Sequence, residues 1–290
     1  MARSGRTIRA GLVGAGIQRS LSPFLHVTEA RAHGLDYTYD LFDLDLIPHT
    51  DARLECVLDR AAAEGFSGLN ITHPSKQAVI PLLDSLSADA AALGAVNTVV
   101  FEGSRKIGHN TDWYGFSKSR ERGLPDAKLH HVILLGAGGA GAAVAYALLR
   151  DGADCVTVFD VDADRSTAMV AQLGGVFGSS RIEAGTDMDA ALRRADGLVN
   201  CTPVGMLKYP GIPLPPSVLH SGLWVADIVY VPLRTELIAA ATALGCPTLM
   251  GGGMTVFQAA EAFRLFTGVA PDAERMLLAF DQRVKVDLAA

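Results

Sequence analysis

Cysteine is scarce and scattered in this sequence. Its four thiols, Cys56, Cys155, Cys201 and Cys246, stand among 290 residues with no C-x-x-C and no paired spacing. That pattern argues against a disulfide frame or a zinc site and fits reduced thiols in a cytoplasmic protein. The eight histidines add no metal motif, so no metal is expected. Apolar runs are short, and none approaches the ~20 residues of a bilayer-spanning helix. Met1 to Arg9 is basic, but no apolar core of signal-peptide length follows it. Basic blocks are missing apart from short Arg pairs, and the formal net charge is −6. No nucleic acid and no membrane surface is therefore expected as a partner. Fixed-period repeats and low-complexity segments are absent as well.

What remains is an ordinary globular composition, 49% hydrophobic and 19% charged, at a length that suits two domains or one large one. The most informative stretch is Val132-Ile133-Leu134-Leu135-Gly136-Ala137-Gly138-Gly139-Ala140-Gly141, followed by a helix-forming run to Leu149. An apolar strand, a turn of small residues and a helix are what a dinucleotide pyrophosphate requires. The chain must turn sharply, let backbone approach the phosphates, and pack the helix close to the sheet. A second marker lies some twenty residues on, where Cys155-Val156-Thr157-Val158-Phe159 ends at Asp160. A carboxylate there accepts from both ribose hydroxyls of NAD and repels the 2′-phosphate of NADP. Arg165 is the nearest cation, placed for a pyrophosphate or adenine contact. The expected cofactor is NAD, with NADP as the alternative.

Along the chain, Thr7 to Val13 reads as a strand ending in a second glycine turn, Gly14-Ala15-Gly16. Ser20-Leu21-Ser22-Pro23 follows where a nucleotide-binding helix should already run, so this turn is a decoy. Pro23 fits the first turn of a helix capped by Ser22 and running from Phe24 to His33. Further on, Tyr37 to Leu41 reads as strand, Thr50 to Glu64 as helix and Gly68 to Thr72 as strand. Leu82 to Leu93 then reads as helix and Ala95 to Phe101 as strand. Trp113 to Arg122 is a connecting helix, and a second βα alternation runs from His131 to about Met250, including strands Gly197 to Asn200 and Trp224 to Tyr230. The fold class is α/β with two domains. The first covers residues 1–110, with C-terminal helices in 255–290 expected to return to it. The second is a doubly wound dinucleotide-binding domain over residues 111–254.

Polar residues gather at the strand ends of the first domain. Ser20 and Ser22 could cap a helix or cradle a carboxylate. Lys76, after Asn70-Ile71-Thr72-His73-Pro74-Ser75, reads alone as a surface charge, and Asp112 alone as a helix cap. Together they supply what alcohol oxidation needs: a group that accepts a proton and an opposite charge that tunes it.

The motifs as a set resemble the shikimate/quinate dehydrogenase family over nearly the whole chain. They are Ser20-Leu21-Ser22-Pro23, Asn70 to Lys76, Gly94-Ala95-Val96-Asn97-Thr98 and Gly108-His109-Asn110-Thr111-Asp112. The series continues with Gly136 to Ala140, Asn200-Cys201-Thr202-Pro203-Val204-Gly205-Met206, Asp227-Ile228-Val229-Tyr230 and Gly253 to Ala260. The resemblance implies reversible NAD(P)-dependent oxidation of shikimate or quinate to the 3-dehydro ketone. It makes Lys76 and Asp112 the catalytic pair, with Ser20 and Ser22 holding the carboxylate. Thr72, Asn97, Asp112 and Gln258 would read the ring hydroxyls, with Tyr230 at the pocket edge. Gly136, Ala137, Gly138, Gly139 and Ala140 would hold pyrophosphate, and Asp160 the adenosine ribose. Thr202, Val204, Ile228 and Gly251 would line the nicotinamide and adenine slots.

Two departures lean toward an NAD-using member: Gly14-Ala15-Gly16 where Gly-x-Pro is common, and Phe159-Asp160-Val161-Asp162 where NADP users carry an Asn-Arg-Thr type sequence. The partner is a small ring acid, and the chain is expected as a monomer or homodimer. The alternatives are an NADP-dependent biosynthetic shikimate dehydrogenase, a relative acting on an amino-substituted ring acid, and a non-catalytic NAD or ring-acid sensor. The Lys76 and Asp112 pair speaks against the sensor, which needs no proton transfer.

Overall fold

The computed structural model of the chain describes residues 7–47 and 53–289. The chain divides into two compact units, Met1–Thr111 with Val256–Ala290, and Asp112–Thr255.

The first unit contains β1 (Ile8–Gly14), α1 (Ser22–Ala32), β2 (Tyr37–Asp43), α2 (Arg53–Ala63), β3 (Gly68–Ile71), β4 (Ser85–Leu86), α3 (Ala88–Leu93), β5 (Thr98–Glu102) and β6 (Arg105–His109). They form a mixed sheet in the order β2-β1-β3-β5-β6-β4. β1 lies parallel to β2 and β3, while β5 is antiparallel to both β3 and β6. Strand alternation sends Val13, Leu69, Ile71 and Val99 into one core with Val57, Leu58 and Ala61 of α2. Ala10 and Tyr37 face the other way, onto Phe263 and Phe266.

Two local readings change here. Ser22 does not cap α1: the cap position is Leu21, with no side-chain bond, and Ser22 and Pro23 are the first helical residues. The Ser22 N–H is met instead by Ser20 Oγ at 3.2 Å. The segment expected as one helix from Leu82 to Leu93 is a 3-10 turn (Ile80–Leu82), then β4, then α3. Edge pairing wins over helix propensity there, because β6 offers the carbonyls of Lys106 and Gly108 to the N–H groups of Asp84 and Ser87. Ser87 then caps α3, its Oγ accepting from Ala90 N. The start of the helix expected from Thr50 lies outside the described residues.

The second unit contains α4 (Asp112–Gly123), β7 (His131–Leu135), α5 (Gly139–Arg150), β8 (Cys155–Phe159), α6 (Ala163–Phe177), β9 (Ile182–Ala184), α7 (Met188–Leu192), β10 (Gly197–Asn200), β11 (Trp224–Asp227), α8 (Glu236–Ala243) and β12 (Thr248–Met250). All neighbours in its sheet are parallel, in the order β12-β11-β10-β7-β8-β9. Burial on both faces explains why β7, β8 and β10 are nearly continuous apolar runs. The strand expected to reach Tyr230 ends at Asp227, where the carboxylate folds back on its own turn. Asp151 anchors α4 to α5 by accepting from Arg120 Nη2 at 2.9 Å and Ser117 Oγ at 2.8 Å.

Two helices close the chain, α9 (Gly252–Thr267) and α10 (Ala273–Ala289). From Val256 onward they count with the first unit. There the buried Glu29 carboxylate of α1 takes Arg275 Nη2 and the Asp272 N–H, each at 2.7 Å.

Candidate active site

The sheet order of the second unit reverses direction between β7 and β10, and in open parallel sheets ligands bind beyond the carboxyl ends of strands at such a switch point. The glycine turn lies there. Gly136 has φ +96°, a conformation L side chains rarely adopt. A Cβ on Gly141 would stand 1.9 Å from the Gly136 carbonyl oxygen, so only glycine lets α5 sit this close to the turn. Gly138 and Gly139 meet nothing within 4 Å. Within the protein the steric need for glycine falls on Gly136 and Gly141, and Gly138 faces open space. Gly138 is the cap residue of α5 and no side chain caps that helix. Ala140 lies in its first turn. A positive helix end beside open space suits an anionic pyrophosphate.

Asp160 ends β8 and accepts from the Ala137 N–H at 2.6 Å and the Asp162 N–H at 2.9 Å. It therefore fixes the glycine turn as well as presenting a carboxylate. Arg165 is exposed and pairs with Asp162 at 3.3 Å. Past β10, Asn200 Oδ1 accepts from Thr202 N at 3.0 Å and Thr202 Oγ1 at 2.7 Å, and Thr202 Oγ1 takes the Val204 N–H at 3.2 Å. Asn200 Nδ2 donates to the Val204 carbonyl and to Asp227 Oδ1, both at 3.0 Å. Asp227 also accepts from Val229 N at 3.0 Å and Thr235 Oγ1 at 2.6 Å. Burial pushes the Asp227 carboxyl up to about 6, against these donors. Ile228 and Gly251 line a small cavity of about 10 Å³ with Asp227, Phe116 and Ser119. Tyr230 is half-exposed, and burial of its phenol raises it above the usual range. Asp112 opens α4 and is 7% exposed.

In the first unit the decoy turn is closed by an internal anion. The Asp43 carboxylate accepts from Gly16 N at 3.0 Å, Ile17 N at 3.2 Å and Gln18 Nε2 at 3.0 Å. The Gln18 amide and these N–H groups hold its carboxyl below the usual range. A protein carboxylate thus occupies the place where a phosphate would compete, and the turn delivers the chain to Ser20 and Ser22. Ser20 Oγ donates to Ser22 Oγ at 3.2 Å. Tyr39 donates to Asn70 Oδ1 at 2.8 Å, and Asn70 Nδ2 donates to Thr98 Oγ1 at 3.1 Å. The chain of bonds continues to Asn97, which receives Thr98 Oγ1 at 3.0 Å and Thr111 N at 2.7 Å. Asn97 Nδ2 reaches Thr111 Oγ1 at 3.0 Å and Gln258 Oε1 at 3.4 Å. Three motifs far apart in sequence meet on this asparagine.

Thr72 lies just past β3, its N–H bonded to the Val13 carbonyl at 2.9 Å. Lys76 follows on the same turn, partly buried, its carbonyl accepting from Val96 N at 2.8 Å. A groove of about 470 Å³ in this unit runs along edge strand β2 between Arg9, Asp40, Arg60 and Glu64. Those charges pair with one another, Arg9 to Glu64 at 3.1 Å and Arg60 to Glu64 at 2.7 Å, and none of the candidate site residues lines it.

Residues 12–99 match the family model described as the shikimate dehydrogenase substrate binding domain, and residues 251–277 match the shikimate 5′-dehydrogenase C-terminal domain. A protein of Streptomyces avermitilis named shikimate dehydrogenase (NADP(+)) is 55% identical, over 92% of this chain and 92% of its own length. The chain belongs to the shikimate dehydrogenase family. A quinate/shikimate dehydrogenase (NAD(+)) of Corynebacterium efficiens, another relative, is 46% identical over 94% of this chain and 98% of its own. Quinate dehydrogenase from Corynebacterium glutamicum, solved in complex with NAD, superposes with a TM-score of 0.92 at 44% identity, covering 95% of this chain and 99% of that one. Shikimate dehydrogenase family membership thus agrees with the two-domain α/β reading, with a substrate-binding unit and a dinucleotide-binding one.

Sequence reasoning gave no role to Tyr39, Asp43, Asn70, Asn200 or Asp227. Asn200 and Asp227 could have been flagged as polar ends of apolar strands. Asp43 and Tyr39 act on residues that only strand pairing brings near, so no local spacing reveals them.

Proposed function

We propose that the protein is an NAD-dependent dehydrogenase that interconverts shikimate or quinate and the corresponding 3-dehydro ketone. The observation that carries this reading is the convergence at Asn97, where the Asn97, Thr111 and Gln258 motifs are hydrogen-bonded in one unit. A polyhydroxylated acid needs such a cluster of short polar side chains, each costly to leave unpaired once water is excluded. When bound, the nicotinamide cofactor supplies the hydride acceptor. The residues do the rest. Lys76 takes the hydroxyl proton as hydride leaves carbon and returns it in the reverse direction. Asp112 holds that hydroxyl and balances the lysine charge. Ser20 and Ser22 bind the carboxylate, Thr72, Asn97 and Gln258 read the ring hydroxyls, and Tyr230 borders the substrate. Gly136 to Ala140 hold the pyrophosphate, while Thr202, Val204, Ile228 and Gly251 border the rest of the cofactor.

Asp160 favours NAD over NADP, and the pairing of Arg165 with Asp162 leaves that arginine engaged elsewhere. The deciding experiment is a steady-state matrix of shikimate and quinate against NAD and NADP. Turnover is expected with NAD and at least one acid; no oxidation in any combination overturns the reading. In the same matrix Asp160→Ala is expected to raise KM for NAD about 10- to 100-fold, the scale of one lost charge-assisted hydrogen bond. KM for NADP should change much less, because removing the carboxylate also removes its repulsion. Equal losses would refute the selectivity.

Tyr39 holds Asn70 in place. Tyr39→Phe should raise KM for the acid several-fold while kcat falls less, and a loss confined to kcat would argue that its hydroxyl acts elsewhere. We also place the protein in the cytoplasm, as a monomer or homodimer acting on a small molecule. The scattered free thiols support this, and no helix among the described residues is long and apolar enough to cross a membrane.

A further inference from the structure

The amino ends of β7, β8 and β9 carry a group of side chains that the dehydrogenase reading does not use. His131 opens β7 and stands in register with Cys155, which opens β8. Thr157, two residues on and so on the same face, pairs in register with Glu183 of β9. One imidazole nitrogen, the Cys155 sulfur and one Glu183 carboxylate oxygen all lie within 4.8 Å of one another. His131 and Cys155 are half-buried and Glu183 is exposed, so the group can be reached from solvent. This is the face that carries Ile133, Leu135 and Phe159 into the core, and the polar group takes over where that core ends.

We propose that His131, Cys155 and Glu183 form a binding site for a borderline-soft divalent transition metal such as zinc. A thiolate, an imidazole and a carboxylate are a donor set for zinc, cobalt or nickel, not for magnesium or calcium. Bond lengths of about 2.3 Å to sulfur and about 2.0–2.2 Å to nitrogen and oxygen put neighbouring donors about 3.3–3.7 Å apart on a tetrahedral ion. Separations up to 4.8 Å close to that by side-chain adjustment alone, since the strands are already in register. Three protein ligands leave the fourth position to water.

The support beneath the ligands is in place. The buried Thr157 hydroxyl donates to Glu183 Oε1 at 2.8 Å and bonds His131 Nε2 at 2.7 Å. With the hydroxyl proton on the glutamate, the neutral His131 ring donates from Nε2 and leaves its other nitrogen for a metal. A ligating histidine whose second nitrogen is held by a fixed acceptor is the usual arrangement at metal sites. Sequence spacing cannot reveal the set, because metal motifs read ligands a few residues apart, whereas each of these comes from a different strand.

The site lies at the end of the strands opposite the glycine turn, roughly 16 Å away at about 3.3 Å per residue along β7. It clamps three strands together and takes no part in turnover. The test is titration of the chelator-treated full-length protein with Co²⁺, read by the thiolate-to-cobalt charge-transfer band in the near ultraviolet. One equivalent is expected to bind and to be displaced by Zn²⁺. Cys155→Ser should abolish the band, and His131→Ala and Glu183→Gln should each weaken affinity at least about tenfold. Zn²⁺ should raise the Tm of the wild type and not of these variants, by mass action on the folded state. Glu183→Gln changes an exposed side chain, so its fold is not at risk. The absence of a band overturns the proposal. So does a band that survives Cys155→Ser, which would report the exposed Cys56. Indifference of the band to both His131→Ala and Glu183→Gln would reduce it to a lone thiol adduct and overturn the site.

Discussion

Replacing Lys76 with alanine is expected to lower kcat for oxidation of the ring acid by about 10²- to 10⁴-fold, the usual contribution of a positioned acid–base group. The effect should fall on the chemical step. The backbone carbonyl of Lys76 helps tie its turn to the rest of the first unit by accepting from Val96 N. Alanine keeps that bond, so the turn and neighbouring Thr72 stay where they are. The glycine turn and Asp160 belong to the other unit, and NAD affinity, measured by quenching of protein fluorescence, should change little. Loss of the proton acceptor removes an interaction made in the transition state, so kcat and kcat/KM for the acid should fall together. An alanine variant that turns over like the wild type would remove Lys76 from the mechanism, whatever the cofactor.

The two glycine turns illustrate what could be read from the sequence and what could not. Both follow an apolar strand, and composition alone hardly separates them. The sequence rejects the first because Ser20-Leu21-Ser22-Pro23 follows it. The structure supplies a second reason, since Asp43, at the end of β2, satisfies the N–H groups of Gly16 and Ile17. The other turn keeps its helix end uncapped and faces open space at Gly138 and Gly139. In the first turn Asp43 takes the N–H groups of Gly16 and Ile17, whereas in the second Asp160 takes that of Ala137 and leaves the helix end at Gly138 and Gly139 open to a ligand. That distinction depends on a residue brought in by strand pairing, which no local pattern encodes.

The same limit explains the other differences. Strands β7, β8 and β10 were legible because burial on both faces leaves apolar runs that alternate with helices. The segment from Ile80 to Leu93 was not, because its short strand β4 exists only through pairing with β6. Ser22 looked like a cap because Ser before Pro usually is one, yet here Ser20 takes that part from two residues upstream. The motifs could be named from the sequence, Asn70, Asn200 and Asp227 among their residues, whereas the hydrogen bonds that these residues make, and the part of Tyr39 in them, became visible only in the folded chain. The dependence runs one way: a motif residue can be read locally, and its orientation cannot.

The buried histidine of α1 carries the largest expected effect on stability. His26 is 0% exposed; its Nδ1 meets the Tyr37 hydroxyl at 2.9 Å, and its Nε2 has no partner. The rings of Tyr37 and Tyr39 from β2 and of Phe263 and Phe266 from α9 surround it. Burial among them lowers its pKa from 6.5 to about 3, because a charged imidazolium would be stranded there. In the unfolded chain the same ring takes a proton near 6.5. Between these values the unfolded state binds more protons, so stability is lost as pH falls from about 6.5 toward about 3. At about 1.4 kcal/mol per pH unit the total is about 5 kcal/mol, comparable with the whole stability of many domains. His26→Gln keeps a polar partner for Tyr37 and cannot titrate in this range. Its stability should be lower than wild type at pH 7, through imperfect packing, yet fall less steeply on acidification. By pH 4.5 the gap between the two should have narrowed by about 2–3 kcal/mol in urea unfolding. Parallel pH profiles for the two proteins would show that His26 is not what makes the first unit sensitive to acid.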